Sequence, residues 1–307
     1  MAKPDSIDLE DGTRIPILYE DRAILAIDKP PGWMLIPDSW DKTNRNLQLA
    51  LTSAVAEGQF WARSRGIKFL RYLHRLDGET SGILLFGRSL GAVHTYATLF
   101  ESRKMSKRYL AVMVGNPKHD EWTCRQKLAP DPEMFGRIKV DHRDGKDAET
   151  VFRVLKRGPE TTLVEAQPIT GRTHQIRVHA LVSGHPLVGD PMYGPHARAA
   201  RQAKTPLALR AYFLSFPDPF SKRLVWIHAP VEEFARSFGF DPAPLNEHVR
   251  ELKAAVRPPG RVPVRPGAKP VSHAPVSARP KAPVGEGAKP SGSLPGKGKP
   301  KPPFAST

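Results

Sequence analysis

The sequence predicts an α+β fold built on a mixed, mainly antiparallel central sheet with flanking helices. Three observations carry this. Short apolar runs of strand length dominate the first 230 or so residues, only three stretches show helical spacing, and strands and helices never settle into a regular βαβ alternation.

Ile15-Pro16-Ile17-Leu18-Tyr19 and Ala23-Ile24-Leu25-Ala26-Ile27 read as two strands around a turn at Glu20-Asp21, and Lys29-Pro30-Pro31-Gly32 then halts regular structure. Leu47, Leu51 and Val55 give residues 46–58 a helical apolar stripe. Ile83-Leu84-Leu85-Phe86 is a buried strand, residues 91–102 a helix, and Tyr109 opens a strand that ends at Gly115. Val151–Val154 and Leu163–Ala166 continue the sheet; residues 173–183 form a helix stopped by Gly184. Residues 207–216 and 224–227 are late strands, and no internal repeat is present.

This places the folded body at residues 15–253. Residues 1–14 are a polar, acidic extension. Residues 254–307 are a Pro-, Gly-, Lys- and Arg-rich tail whose apolar content is too small to offset chain entropy, so disorder is expected there. The stretch from Arg257 to Thr307 carries ten Lys and Arg against one acid, Glu286, and so holds +9 of the chain's net +16. It is either an electrostatic RNA tether or a solvated tail without a dedicated partner.

A net charge of +16 in 307 residues favours a polyanionic partner without specifying a fold. Cys124 is the sole cysteine, which excludes an intramolecular disulfide and a multi-cysteine zinc site and fits a reducing cytoplasm. The polar N-terminus is no secretory signal, and no apolar run approaches the ~20 residues of a membrane helix. Neither Gly-x-Gly-x-x-Gly nor a Walker pattern occurs, so no nucleotide cofactor is expected.

Two segments concentrate polar chemistry. In His74-Arg75-Leu76-Asp77-Gly78-Glu79-Thr80-Ser81-Gly82, the aspartate sits where a polar loop meets an apolar strand. There it can project into a cleft, or it can close an Asx turn on its own backbone. In Thr170-Gly171-Arg172-Thr173-His174-Gln175-Ile176-Arg177-Val178-His179, a helix would put His174 and Arg177 on one face, either aimed at a carboxylate or solvated. The two histidines are five apart, off a common face and without a nearby acid or cysteine, so no metal is expected.

These segments, with Lys107-Arg108-Tyr109-Leu110-Ala111 between them, occur in the order found in RluA-type RNA pseudouridine synthases, and the chain resembles that family over residues 17–230. Asp28-Lys29-Pro30-Pro31-Gly32, Gly184-His185-Pro186-Leu187-Val188-Gly189-Asp190 and Tyr193-Gly194 add to the resemblance. It implies the pseudouridine synthase fold with a central RNA-binding cleft. It also implies isomerisation of uridine to pseudouridine in ribosomal or transfer RNA by a monomer, without cofactor or metal. Asp77 is then the essential carboxylate, as nucleophile on the sugar carbon or as base for a sugar proton. Arg177 is its counter-ion, and Tyr109 stacks on the base and assists loss of the carbon 5 proton. Arg75 fills the space left by the flipped base, Leu209 lines the pocket, and Lys29, His74, Arg172 and His174 meet the RNA. One position departs from the family pattern: Leu207-Ala208-Leu209-Arg210-Ala211 has arginine where relatives often have histidine, which leaves substrate detail from that stretch open. Many relatives also carry a small basic RNA-binding domain before the catalytic body, a role the basic tail is expected to take over in part. Two rivals are a non-catalytic RNA-binding protein of the same fold and a two-carboxylate hydrolase using Glu79; retention of Asp77, Tyr109 and Arg177 together favours the synthase.

Overall fold

The computed structural model describes residues 2–36 and 45–255; the basic tail from residue 256 on lies outside the described residues. The chain opens with β1 (Ser6–Asp8), β2 (Arg14–Glu20) and β3 (Ile24–Lys29), followed by α1 (Leu47–Ala56) and α2 (Phe60–Arg63). Next come β4 (Arg71–Tyr72), β5 (Ser81–Gly87), α3 (Leu90–Glu101), β6 (Ser106–Val114) and β7 (Glu121–Cys124). A hairpin of β8 (Leu128–Pro130) and β9 (Ile138–Val140) leads to β10 (Thr150–Arg157), β11 (Thr161–Pro168) and α4 (Gln175–Val182). The described chain ends with α5 (Ala197–Ala203), β12 (Leu209–Pro217), β13 (Leu224–His228), α6 (Glu232–Ser237) and α7 (Ala243–Ala255).

Eleven strands form one sheet in the order β1-β2-β3-β5-β12-β6-β11-β10-β7, with β13 on β12 and β4 on β5. Only β5 and β12 pair in parallel, so the sheet is mixed and mainly antiparallel, as the pattern predicts. That pairing is brief: Arg210 faces Ser81 and Ala211 faces Gly82, after which the strands part and β4 and β13 take their free edges. Gly82 makes the close approach possible. Its φ is +109°, and a Cβ there would lie 2.1 Å from the Ala211 carbonyl oxygen. The sheet therefore opens just downstream of Asp77.

The period of two in β6 divides the core. Tyr109, Ala111 and Met113 face a cluster with Leu51 of α1, Phe86 of β5 and Ile176 and Ala180 of α4. Leu110 and Val112 face the opposite side, with Tyr212 of β12 and Leu245 and Val249 of α7. Asn46 caps α1 by accepting the Leu49 N–H, and Ser89 caps α3 by accepting that of Ala92.

The structure departs from the sequence pattern at several ends. Residues 2–14, expected to be a polar extension, include β1, which pairs with β2 and buries Ile7; a three-residue strand is too short to show alternation. The strand holding Tyr109 begins three residues earlier, at the polar Ser106-Lys107-Arg108. The helix expected from residue 173 starts at Gln175, because His174 takes a left-handed conformation with φ +51°. Four helices beyond the three expected are present, of which α7 hides its Leu245 and Val249 stripe among charged residues.

Candidate active site

Asp77 lies in the loop between β4 and β5, with its side chain 21% exposed. The loop is fixed from below. Lys29, at the end of β3, is fully buried and donates its ammonium to the carbonyls of Pro30 (3.0 Å), Gly78 (2.8 Å) and Thr80 (2.8 Å). The Gly32 N–H also reaches the Gly78 carbonyl, at 2.8 Å. Burial pushes the Lys29 ammonium down to about 8, opposed by the charges of Glu79 and Asp77. With all three protons engaged and no exposed surface, Lys29 shapes the loop instead of presenting its charge to RNA.

Arg177 comes from the first turns of α4, one hundred residues after Asp77. Its side chain is 1% exposed. Nη1 donates to Asp77 Oδ2 at 3.3 Å, while Nε and Nη2 grip Asp190 Oδ2 and Oδ1 at 2.9 and 2.8 Å. Asp190 Oδ1 also accepts the backbone N–H groups of Met192 and Tyr193, and the guanidinium lies over the Tyr193 ring, 5.0 Å from its centroid. Burial opposes the charge on Arg177, but Asp190 and Asp77 outweigh it and hold the group more firmly protonated than usual. A bidentate partner fixes the guanidinium plane, leaving one N–H edge for Asp77. Asp190 and Tyr193 had no role assigned from sequence, although both sit in motifs that carry the resemblance.

Tyr109, the fourth residue of β6, is 9% exposed and stands opposite Ala166 on one side and Ala211 on the other. Burial, and then the charge of Asp77, push its phenol above the ordinary range. Leu209 is buried in the same cluster as Tyr109, Leu76 and Ile176.

The remaining sequence candidates divide. Arg75 is exposed and has no ion pair or hydrogen bond among the described residues. Arg172 is exposed too, with Nε donating to the Asp147 carbonyl at 3.0 Å. His174 is not on the helix with Arg177; it reaches the same spot through Tyr193, whose hydroxyl lies 2.8 Å from its Nδ1. That hydroxyl accepts the Ile138 N–H, so its own proton is directed to Nδ1, and burial lowers the His174 pKa in agreement with a neutral ring. His74, expected to meet RNA, instead accepts the Leu85 N–H on Nε2 at 3.2 Å and packs on Phe100, 5.0 Å between ring centroids. Burial and then the Lys107 charge press it down to about 3, so it braces β5 as a neutral ring. Arg210, the departure from the family pattern, is engaged within the protein: it bonds Asp28 Oδ2 at 2.6 Å and the Pro230 carbonyl at 2.8 Å, tying β3 to β12 where β5 parts from β12. Among the described residues no His, Cys, Asp and Glu group could hold a metal ion.

The arrangement is a partly exposed carboxylate beside one rigid cation, with a buried phenol nearby, at the mouth of an opening sheet. The family model described as RNA pseudouridylate synthase matches residues 23–181, a range that includes Asp77, Tyr109 and Arg177. The ribosomal large subunit pseudouridine synthase C of Vibrio vulnificus is 35% identical over 222 residues, 71% of this chain and 66% of that protein. The chain thus spans just under two thirds of that relative's length. The uncharacterized RNA pseudouridine synthase YlyB of Bacillus subtilis is 32% identical over 252 residues, 82% of this chain and 78% of the relative. Among solved structures, the human RNA pseudouridylate synthase domain containing 1 superposes with a TM-score of 0.60 at 25% identity, over 80% of this chain and 97% of that one.

Proposed function

Because the chain belongs to the RNA pseudouridylate synthase family, we propose that it isomerises uridine to pseudouridine within RNA, with Asp77 as the essential carboxylate. The observation that carries this is the pairing of Asp77 with Arg177. The carboxylate meets a buried cation at 3.3 Å through Oδ2 and keeps a fifth of its side chain exposed. Arg177 is fixed by Asp190 and needs no reorganisation as charge shifts on Asp77.

In the reaction the bond from ribose to the base nitrogen breaks, the base turns, and its carbon 5 joins the same sugar carbon while the carbon 5 proton leaves. Asp77 serves either by attacking the sugar carbon or by removing a sugar proton. The target nucleotide must leave the RNA stack to reach it. Arg75 then fills the vacated space, a role supported by its exposure two residues before Asp77. The raised phenol of Tyr109 favours a neutral ring that stacks on the base over a phenolate that takes its proton. Leu209 then completes the apolar wall beside it, and Arg172 and His174, just before α4, meet the RNA, a reading supported by the exposure of Arg172.

The name of the Vibrio relative supports ribosomal RNA of the large subunit as substrate, with transfer RNA second. A cytoplasmic location and monomeric action fit such a role; among the described residues no helix is long and apolar enough to cross a membrane. The basic stretch 254–307 then serves as an RNA tether, supported by its +9 charge. The test is tritium release from RNA transcripts carrying uridine labelled at carbon 5. Release from large-subunit ribosomal RNA is expected, and silence on ribosomal and transfer RNA alike would sink the proposal.

A further inference from the structure

A groove of about 570 Å³ runs between α1 and the segment leading into β4, outside the site described above. Its lining includes Ile36, Gln48, Lys68, Phe69, Arg71 and Tyr72, with two cations and no carboxylate. Lys68 and Arg71 are exposed and have no ion pair among the described residues. Phe69 is 36% and Ile36 49% exposed, which gives the groove an apolar surface open to solvent. The groove is also rigid: Gln48 Nε2 donates to the Leu70 carbonyl at 3.0 Å, and its Oε1 accepts the Tyr72 N–H at 3.2 Å, locking the segment to α1.

The chain that lines the groove also touches the Asp77 loop. Met34, two residues before Ile36, lies against Gly78, where an added Cβ would be 3.3 Å from its Cγ. The far end follows β4, which pairs with β5 at Phe86 and Gly87. Six residues separate Gly87 from Ser81, or about 20 Å of strand, the length of roughly six stacked nucleotides.

We propose that this groove binds the single-stranded RNA flanking the target uridine, with a base on Phe69 and phosphates on Lys68 and Arg71. The proposal rests on the RNA-modifying reading above. Aromatic faces between solvated cations are the surface that unpaired nucleotides recognise, without preference for sequence.

The probe is a fluorescein-labelled oligouridylate about a dozen nucleotides long, followed by anisotropy on the full chain. Phe69→Ala is expected to weaken binding at least about fivefold, the loss of one stacked base. Lys68→Ala with Arg71→Ala is expected to lower the slope of log affinity against log salt by about 1.4, two single-strand phosphate contacts. Photocrosslinking from p-benzoylphenylalanine at position 69 should reach the RNA. Unchanged affinity and slope in these variants would overturn the proposal, as would a crosslink from position 69 to residues 37–44 of the same chain. Neither readout needs turnover, so a failed tritium assay and a failed groove remain separable.

Discussion

Two carboxylates on opposite faces of the sheet, one buried and one partly exposed, meet opposite fates. On the α7 side, Glu165 of β11 is 3% exposed and enclosed by Arg108, Tyr212 and His248, the last at 3.0 Å. Burial raises its pKa, but the bond from His248 and the charge of Arg108 outweigh that and leave it below the ordinary range. Both oxygens are committed. On the α4 side, Asp77 has one cation at 3.3 Å and a fifth of its side chain open. The same chain thus builds a carboxylate whose bonding is complete and one whose bonding is left unfinished. Only the second has lone pairs free to meet a substrate, and Asp190 absorbs the rest of the bonding capacity of Arg177 so that it stays so.

The widest separation between the two comes from removing each charge. Asp77→Asn is expected to cut tritium release by at least about a thousandfold, ~4 kcal/mol of barrier, while the urea midpoint changes little because Asp190 still holds Arg177 through two bonds. Retained activity would strip Asp77 of its role. Glu165→Ala should do the reverse. It leaves Arg108 without its buried partner and should lower unfolding free energy by about 3 kcal/mol, with tritium release preserved at temperatures where the variant is folded. A Glu165 variant as stable as the wild type would show the network to be dispensable.

The same contrast explains what the sequence made legible. Asp77 and Arg177 are a hundred residues apart, yet each stands in a motif with enough fixed neighbours to be recognised, and the resemblance joined them. The sheet was legible wherever apolar residues ran together, as in Ile83–Phe86 and Leu110–Val114. Lys29 and His74 read as polar residues fit for RNA, because burial of a cation depends on which carbonyls the fold brings around it. His174 read as helical because a left-handed N-cap has no apolar signature. Glu165 was one acid in an apolar strand, and its partners lie on three other elements. Asp190 was quoted within a motif, but its hold on Arg177 is a tertiary fact.

Asp190 sharpens the comparison by a smaller step. Asp190→Asn keeps Oδ1, which accepts from Arg177 Nη2 and from the Met192 and Tyr193 N–H groups, and loses only the acceptor facing Arg177 Nε. The guanidinium then has reason to turn toward Asp77 and complete its bonding, making it resemble Glu165. A fall in kcat of about tenfold to a hundredfold, ~1.4 to 2.7 kcal/mol, is expected without a comparable rise in KM for RNA. A change confined to KM would mean that Asp190 shapes RNA binding and not the carboxylate.

The smallest effect is read by pH. His74 is held neutral down to about 3 by burial and by Lys107, against an ordinary value near 6.5. Its folded pKa is depressed, so the unfolded chain binds the extra proton first. The stability this provides is complete above the unfolded value and is lost as pH falls from 6.5 toward 3, by up to about 1.4 kcal/mol per pH unit. Glu165 begins to lose its stabilising charge only below the unfolded glutamate value, near 4.3. Urea unfolding between about pH 7 and pH 5 therefore reads the histidines with lowered pKa, His74 with His174, His179 and His228, with little contribution from Glu165. His74→Gln keeps an acceptor for the Leu85 N–H and removes the ionisation, so its stability should fall less steeply with acid than the wild type's. Parallel curves would mean that His74 takes up its proton in the folded protein as readily as in water, and β5, which leads away from Asp77, would then lack a dry, neutral brace on its α3 side.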